Sequence, residues 1–205
     1  MIEQGETALH VRFDQKVKIA FAANGSLNIA QFLCFSLCHI AHIDETCQRR
    51  QRVPCDLDMA LSLVIKDLSR KFGEPVRRFA AMGGARDATS LLLLEELANS
   101  VDGFISLPHL SRKRPDMAQH PGRLLTEQWM EKRYHTCPEC EQHFFFDQTI
   151  QALVIDDPQL GFYLKQLRFS TLAREAGKVA VVAQRKVFIS YSHKDTRWLE
   201  RLRVH

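Results

Sequence analysis

No stretch of this sequence is both long and apolar enough to cross a bilayer. The most apolar run, Leu27 to Ile43, is interrupted by Asn28, Gln31, His39 and His42. It falls short of the roughly 20 mostly apolar residues a span needs, and reads as a buried core helix. The N-terminus, Met1-Ile2-Glu3-Gln4-Gly5-Glu6, is acidic and has no apolar run behind it, so no secretion signal is expected. A glycine-rich phosphate loop is also missing: Gly83-Gly84-Ala85-Arg86 lacks the lysine and the spacing of a Walker loop. There is no internal repeat, no low-complexity tract and no Ser/His/Asp set recognisable from order. The formal net charge of +4 is too small to argue for nucleic-acid binding by itself.

What is present is enough for one good core, or one domain plus a piece of another: 205 residues, 45% of them hydrophobic. Six cysteines stand at positions 34, 38, 47, 55, 137 and 140. Without a signal the expected compartment is the reducing cytoplasm. Free thiols or metal ligands are then expected ahead of disulfides.

Along the chain, Leu9 to Phe13 and Val17 to Ala22 are predicted as two short strands of a hairpin around Asp14-Gln15-Lys16. Asn28 is a candidate cap for a helix to about His42. After Asp56, a good N-cap, Leu57, Ala60, Leu61, Val64, Ile65 and Leu68 follow helical spacing, the clearest amphipathic pattern in the chain. Gly73 is expected to end that helix, with a short one after Pro75. A further helix is predicted over about Arg86 to Asn99, a strand over Gly103 to Leu107, and a long loop from Pro108 to Gly122. A helix from Leu124 to Arg133, a strand from Ile150 to Ile155, and one helix from about Gln159 to Glu175 stopped by Gly177 complete this part.

The last residues carry a distinct pattern. Val187-Phe188-Ile189 is a continuous apolar strand of the kind buried on both faces of a parallel sheet. Ser190 to Lys194 is polar, Asp195 can cap a helix, and Trp198, Leu199 and Leu202 form an apolar stripe. Strand, polar loop and capped helix make the first half of a βαβ unit, a fold whose ligands bind beyond the carboxyl ends of the strands. Phe188-Ile189-Ser190-Tyr191-Ser192-His193-Lys194-Asp195, followed by Trp198-Leu199, resembles the first motif of bacterial-type TIR (Toll/interleukin-1 receptor) domains.

The resemblance covers only about the last 20 residues. It implies an α/β, flavodoxin-like fold with a central parallel sheet. Many bacterial members cleave NAD and others are interaction adaptors. Tyr191, Ser192, His193 and Asp195 match the loop that borders the family's nucleotide pocket; turn formation and helix capping are their alternative roles. The family's catalytic glutamate sits on a later helix, and Glu200, on the first, does not match it. One strand and one helix leave backbone groups and apolar side chains uncovered. Val179 to Ala183 is the nearest pairing strand. The expectation is a truncated or interrupted sensor–TIR protein that does not cleave NAD unless the TIR domain is completed.

His135-Thr136-Cys137-Pro138-Glu139-Cys140-Glu141-Gln142-His143 is the second feature. Cys-Pro-x-Cys aims two thiolates at one ion, as in a zinc knuckle. His143 and His135 are candidates for the third and fourth zinc ligands. A second Cys-x-x-Cys is absent. A turn with two reduced thiols, or a redox pair, are the other readings. Cys34, Cys38 and His42 are spaced to share a helix face, for metal or as plain core. Basic clusters lie at Arg49-Arg50-Gln51-Arg52, Arg77-Arg78 and Arg112-Lys113-Arg114, without interleaved aromatics.

The expected fold class is α+β. A mainly helical N-terminal domain with a few short strands spans 1–177, a linker or pairing strand 178–185, and the first strand and helix of a TIR domain 186–205. The leading functional expectation is a TIR-containing signalling or defence protein, acting through protein partners or self-association. Its N-terminal module would answer a nucleotide, nucleic-acid or protein trigger. The alternatives are a small zinc-stabilised interaction or nucleic-acid-binding domain, and a metal-dependent enzyme drawing on Asp44, Glu45, Asp56 and Asp58, whose spacing matches no known carboxylate signature. No membrane partner is expected.

Overall fold

The computed structural model describes residues 2–113 and 127–178. It is a mixture of helix and short strands, compatible with the α+β class. Residues 179–205, and with them the TIR-like motif, lie outside the described residues.

The chain opens with helix α1 (Ile2–Leu9) and strand β1 (Val11–Phe13), then α2 (Lys16–Ala22), α3 (Leu27–Ile40) and β2 (Gln51–Val53). β1 pairs with β2 in parallel, Val11 opposite Gln51 and Phe13 opposite Val53. Parallel neighbours need a crossover, here supplied by α2 and α3. The predicted hairpin is therefore corrected. Residues 17–22 are helical: Ile19 alone in α2 is buried, while Val17 and Phe21 are 82% and 88% exposed. A six-residue apolar run cannot separate strand from helix by periodicity. The polar Gln51-Arg52 stretch is strand because the partner backbone, not its side chains, holds it. Ser26, not Asn28, caps α3, its hydroxyl accepting from the Ile29 amide.

Asp56 caps α4 (Leu57–Ala81) as expected, its carboxylate accepting from the Met59 amide. The helix does not stop at Gly73. It runs for 25 residues through Gly73 and Pro75, burying Ala60, Val64, Leu68, Phe72, Val76, Phe79 and Ala80. That stripe packs against α3, α5 (Thr89–Asn99), α8 (Pro138–Glu141), α9 (Pro158–Gln166) and α10 (Phe169–Glu175). Each fully buried Phe contributes about 2–3 kcal/mol, comparable to the cost of an interior proline. At Gly73 a Cβ would stand 3.3 Å from Ser69 Oγ and 3.6 Å from Tyr163 Oη.

Beyond α5 lie β3 (Phe104–Ser106), α6 (Leu107–Lys113), α7 (Glu127–Thr136), α8, β4 (Phe145–Asp147) and β5 (Ala152–Val154). β5 is the middle strand of an antiparallel sheet, between β3 and β4. Gly103 leads into it at φ +69, its carbonyl accepting from the Ile155 amide at 2.8 Å. A Cβ there would meet the Ile155 carbonyl oxygen at 2.9 Å. The start of the predicted long loop is helix α6. The single helix predicted from Gln159 to Glu175 is two, α9 and α10, divided where Leu167 and Arg168 are extended. The break lets Leu160, Tyr163 and Leu164 of α9 and Leu172 of α10 all reach the core.

One charged group is built into the N-terminal layer. Glu6 is buried; it accepts from the Phe13 amide at 2.8 Å and from Lys16 Nζ at 3.0 Å. Burial pushes its carboxyl up. The Lys16 bond, the Phe13 amide and the charges of Lys16 and Arg50 outweigh that and hold it below the usual glutamate value. Its stabilisation is therefore complete above the ordinary glutamate range and lost as pH falls through the lower folded value. Glu6→Gln should cost about 2 kcal/mol at neutral pH. Urea unfolding of both proteins should show that difference shrinking in acid.

Candidate functional site

The structure places the Cys-Pro-Glu-Cys segment against α4. Pro138 opens α8 directly after Cys137. Cys137 and Cys140 are 7% and 0% exposed and are joined as a disulfide. This differs from the reduced thiols or metal ligands expected from sequence. The Cys140 sulfur lies 3.9 Å from the Pro75 carbonyl oxygen, and Glu139 pairs with Arg78 of α4 at 2.7 Å. Just beyond, Phe144 packs on Phe79 with ring centres 4.4 Å apart, and His143 stands edge-on to Phe72 at 5.7 Å. Tyr134 of α7 donates to the Phe144 carbonyl; burial first, then Glu141, pushes its phenol up. His135 is exposed. The four zinc-ligand candidates thus lie in one short segment, with Cys137 and Cys140 bonded to each other, His143 against Phe72 and His135 exposed. Among the described residues no group of three or more His, Cys, Asp or Glu side chains is arranged to hold a metal.

The other expected constellations are separated or neutralised. α3 ends at Ile40, so His42, at φ +55, sits in the turn and does not continue the face of Cys34 and Cys38. All four N-terminal cysteines are free. Burial, then the neighbouring Cys38, Glu6 and Cys55, pushes the Cys34 thiol up to about 11; burial also raises Cys38 and Cys55. Of the basic clusters, Arg52 is bound to Asp14, Arg77 and Arg78 to Glu74, and Lys113 to Glu96. These four side chains are engaged in local pairs; Arg50 donates to the Val11 carbonyl, and Arg114 lies outside the described residues. Asp56 caps α4 and Asp44 faces His39 at 3.8 Å, which leaves the proposed carboxylate set unassembled. Tyr191, Ser192, His193 and Asp195 lie outside the described residues.

Two features have no counterpart in the sequence reading. The first is a cleft of about 560 Å³ between the start of α3, the end of α5 and the start of α9. Asp102, Asp156 and Asp157 line it with Lys165, and Asp157 is itself paired with Lys71. Three carboxylates make it a poor seat for a phosphorylated ligand.

The second is Lys178, which the sequence reading assigns to the connection after the domain. Gly177, at φ +66, ends α10 with a Schellman turn: the Lys178 amide donates to the Ala173 carbonyl at 2.8 Å. The side chain then turns inward and is 6% exposed. Its ammonium donates to four carbonyls, of Ala81, Met82, Gly84 and Asp87, at 3.2, 2.6, 2.9 and 2.6 Å. These oxygens belong to the last turn of α4 and the loop beyond it, the negative end of the helix dipole. Burial lowers the Lys178 pKa; Asp87 opposes this and Arg133 adds to it. The Asp87 carboxylate accepts from the Thr89 amide at 3.0 Å and from Arg133 at 3.1 Å. α4, α5, α7 and the exit of the helical unit therefore meet at one junction. A lone lysine after a glycine carries no sequence signal of this role.

Lys178→Met should keep the stem and leave the carbonyls without their donor, costing about 3 kcal/mol by denaturant unfolding. The raised Cys34 thiol implies on the order of 100-fold less thiolate than an ordinary cysteine near neutral pH. Peptide mapping after brief alkylation should show Cys34 nearly unmodified in the folded chain and readily modified in urea. No family model, no curated protein and no solved structure matches this chain.

Proposed function

We propose that residues 2–178 are a regulatory module that controls a TIR-type segment beginning near Lys186, in a signalling or defence protein. The TIR part of the reading is supported by the Phe188-Ile189-Ser190-Tyr191 pattern with Asp195 and Trp198-Leu199 behind it. The observation that carries the regulatory part is the Lys178 junction. The chain leaves the helical unit at a residue bonded to the end of α4, in a loop that Asp87 ties to α5 and α7. Any event that shifts α4 against α5 must break or move those bonds. The strain is then delivered to the backbone entering residue 179. A control element needs a connection at its output that an upstream event can shift.

The nature of the trigger follows from charge. The cleft beside α3 and α9 is acidic, and Arg52, Arg77 and Arg78 are locally paired. Both favour a protein partner over a nucleotide or nucleic acid. Among the described residues, no helix is long and apolar enough to cross a membrane.

Two measurements test the reading. The gene downstream of codon 205 should encode the later strands and acidic helix of a TIR domain; relatives whose reading frames all end at the equivalent of His205 would overturn it. The 205-residue chain, incubated with NAD, should release no nicotinamide. Cleavage by this chain would refute its dependence on a completed domain.

A further inference from the structure

The six cysteines divide into two chemically different sets. Cys34, Cys38, Cys47 and Cys55 are free, and burial raises the thiols of Cys34, Cys38 and Cys55. Such thiols ionise poorly and oxidise slowly. Cys137 and Cys140 are already joined. The pair sits at the start of a one-turn helix, with Cys137 retaining a little exposure and Cys140 none. Exchange at a disulfide needs one sulfur within reach of an attacking thiolate and one that can leave. Both cysteines are buried; Cys137 is the less enclosed, so an incoming thiolate meets it first when the segment opens locally.

The surroundings connect this pair to the central helix. Cys140 rests on the Pro75 carbonyl, Glu139 between the two cysteines is paired with Arg78, and Phe144 is stacked on Phe79. Four residues of the segment 139–144 thus touch α4 between Phe72 and Phe79, His143 included. A disulfide holds its sulfurs about 2 Å apart. Unbonded sulfurs need roughly 1.5 Å more. Cys140 and Phe144 are fully buried, and close-packed interiors have little slack. The added separation is taken up by rotation of the two cysteine side chains and, where the packing leaves no room for that, by adjustment of segment 139–144 against α4.

We propose that Cys137 and Cys140 form a reversible dithiol–disulfide switch that reports the thiol redox state to α4. In the reducing direction a dithiol reductant attacks the Cys137 sulfur. The Cys137–Cys140 bond breaks, Cys140 leaves as a thiolate and takes up a proton, and a mixed disulfide forms on Cys137. The second thiol of the reductant attacks its own sulfur in that mixed disulfide and releases Cys137, which is protonated in turn. The protein gains two electrons and two protons, and the reductant becomes a cyclic disulfide. A small disulfide oxidant runs the exchange backwards. This switch does not depend on the TIR reading, since it concerns only residues of the helical unit.

The test uses the full chain purified without reductant. Mass-tag alkylation after denaturation should add four tags to the oxidised protein, six after treatment with dithiothreitol, and four again after return to oxidised glutathione. Reduction should lower the melting midpoint by about 5 °C. It should also speed amide exchange in α4 over residues 72–79. The Cys137→Ser/Cys140→Ser protein should match the reduced wild type and ignore reductant. Six tags on the untreated protein would overturn the proposal. So would reduction that leaves both melting and α4 exchange unchanged, or one tightly held zinc per reduced chain. All the decisive readouts exist in the wild type, so a variant that fails to fold leaves the proposal testable.

Discussion

Everything in this fold leans on the apolar stripe of α4. Seven of its residues, from Ala60 to Ala80, are buried, and five other helices cover them. The stripe persists through a glycine and a proline, each of which disfavours helix locally. It persists because tertiary burial outweighs propensity when a whole face is covered. The two small sheets have two and three strands. Sheets of that size are not independently stable. Their positions are set by the helices they join, not the reverse.

Polar groups enter this hydrophobic frame only with full partners. Glu6 is held by an amide and an ammonium, and Lys178 by four carbonyls. Among the described residues no buried side-chain nitrogen or oxygen lacks a hydrogen-bond partner. The two sites are alike in logic: each fixes the end of the folded unit, one near Ile2–Leu9 and the other at its last described residue. Lys178 closes the chain onto elements distant in sequence, and Glu6 onto the strand and turn that directly follow its own helix.

The readable parts of the sequence were those governed by local chemistry. The Asp56 cap, the 57–68 periodicity and the Gly177 stop appear as expected because each depends on neighbours within one or two turns. The misread parts were decided at a distance. Residues 17–22 became helix so that α2 and α3 could carry the crossover between parallel strands. Gly73 became a contact point for Tyr163 instead of a terminus. At the candidate sites, the proximity of Cys137 to Cys140 was legible, but not their union or their seat on Pro75. His42 falls beyond the end of α3 and so leaves the helix face of Cys34 and Cys38, and His135 is exposed. The TIR-like motif rests on sequence alone.

The reach of Lys178 also imposes an order on biosynthesis. Its side chain completes the end of α4, whose Ala81 carbonyl was made 97 residues earlier. At ribosomal rates of about 5–20 residues per second, those carbonyls wait roughly 5–20 s for their donor to be polymerised, and longer for it to clear the exit tunnel. Until then the nascent α4 lacks both its ammonium clamp and the cover of α9 and α10. The Lys178 junction can therefore close only when synthesis has passed the final turn of the helical unit.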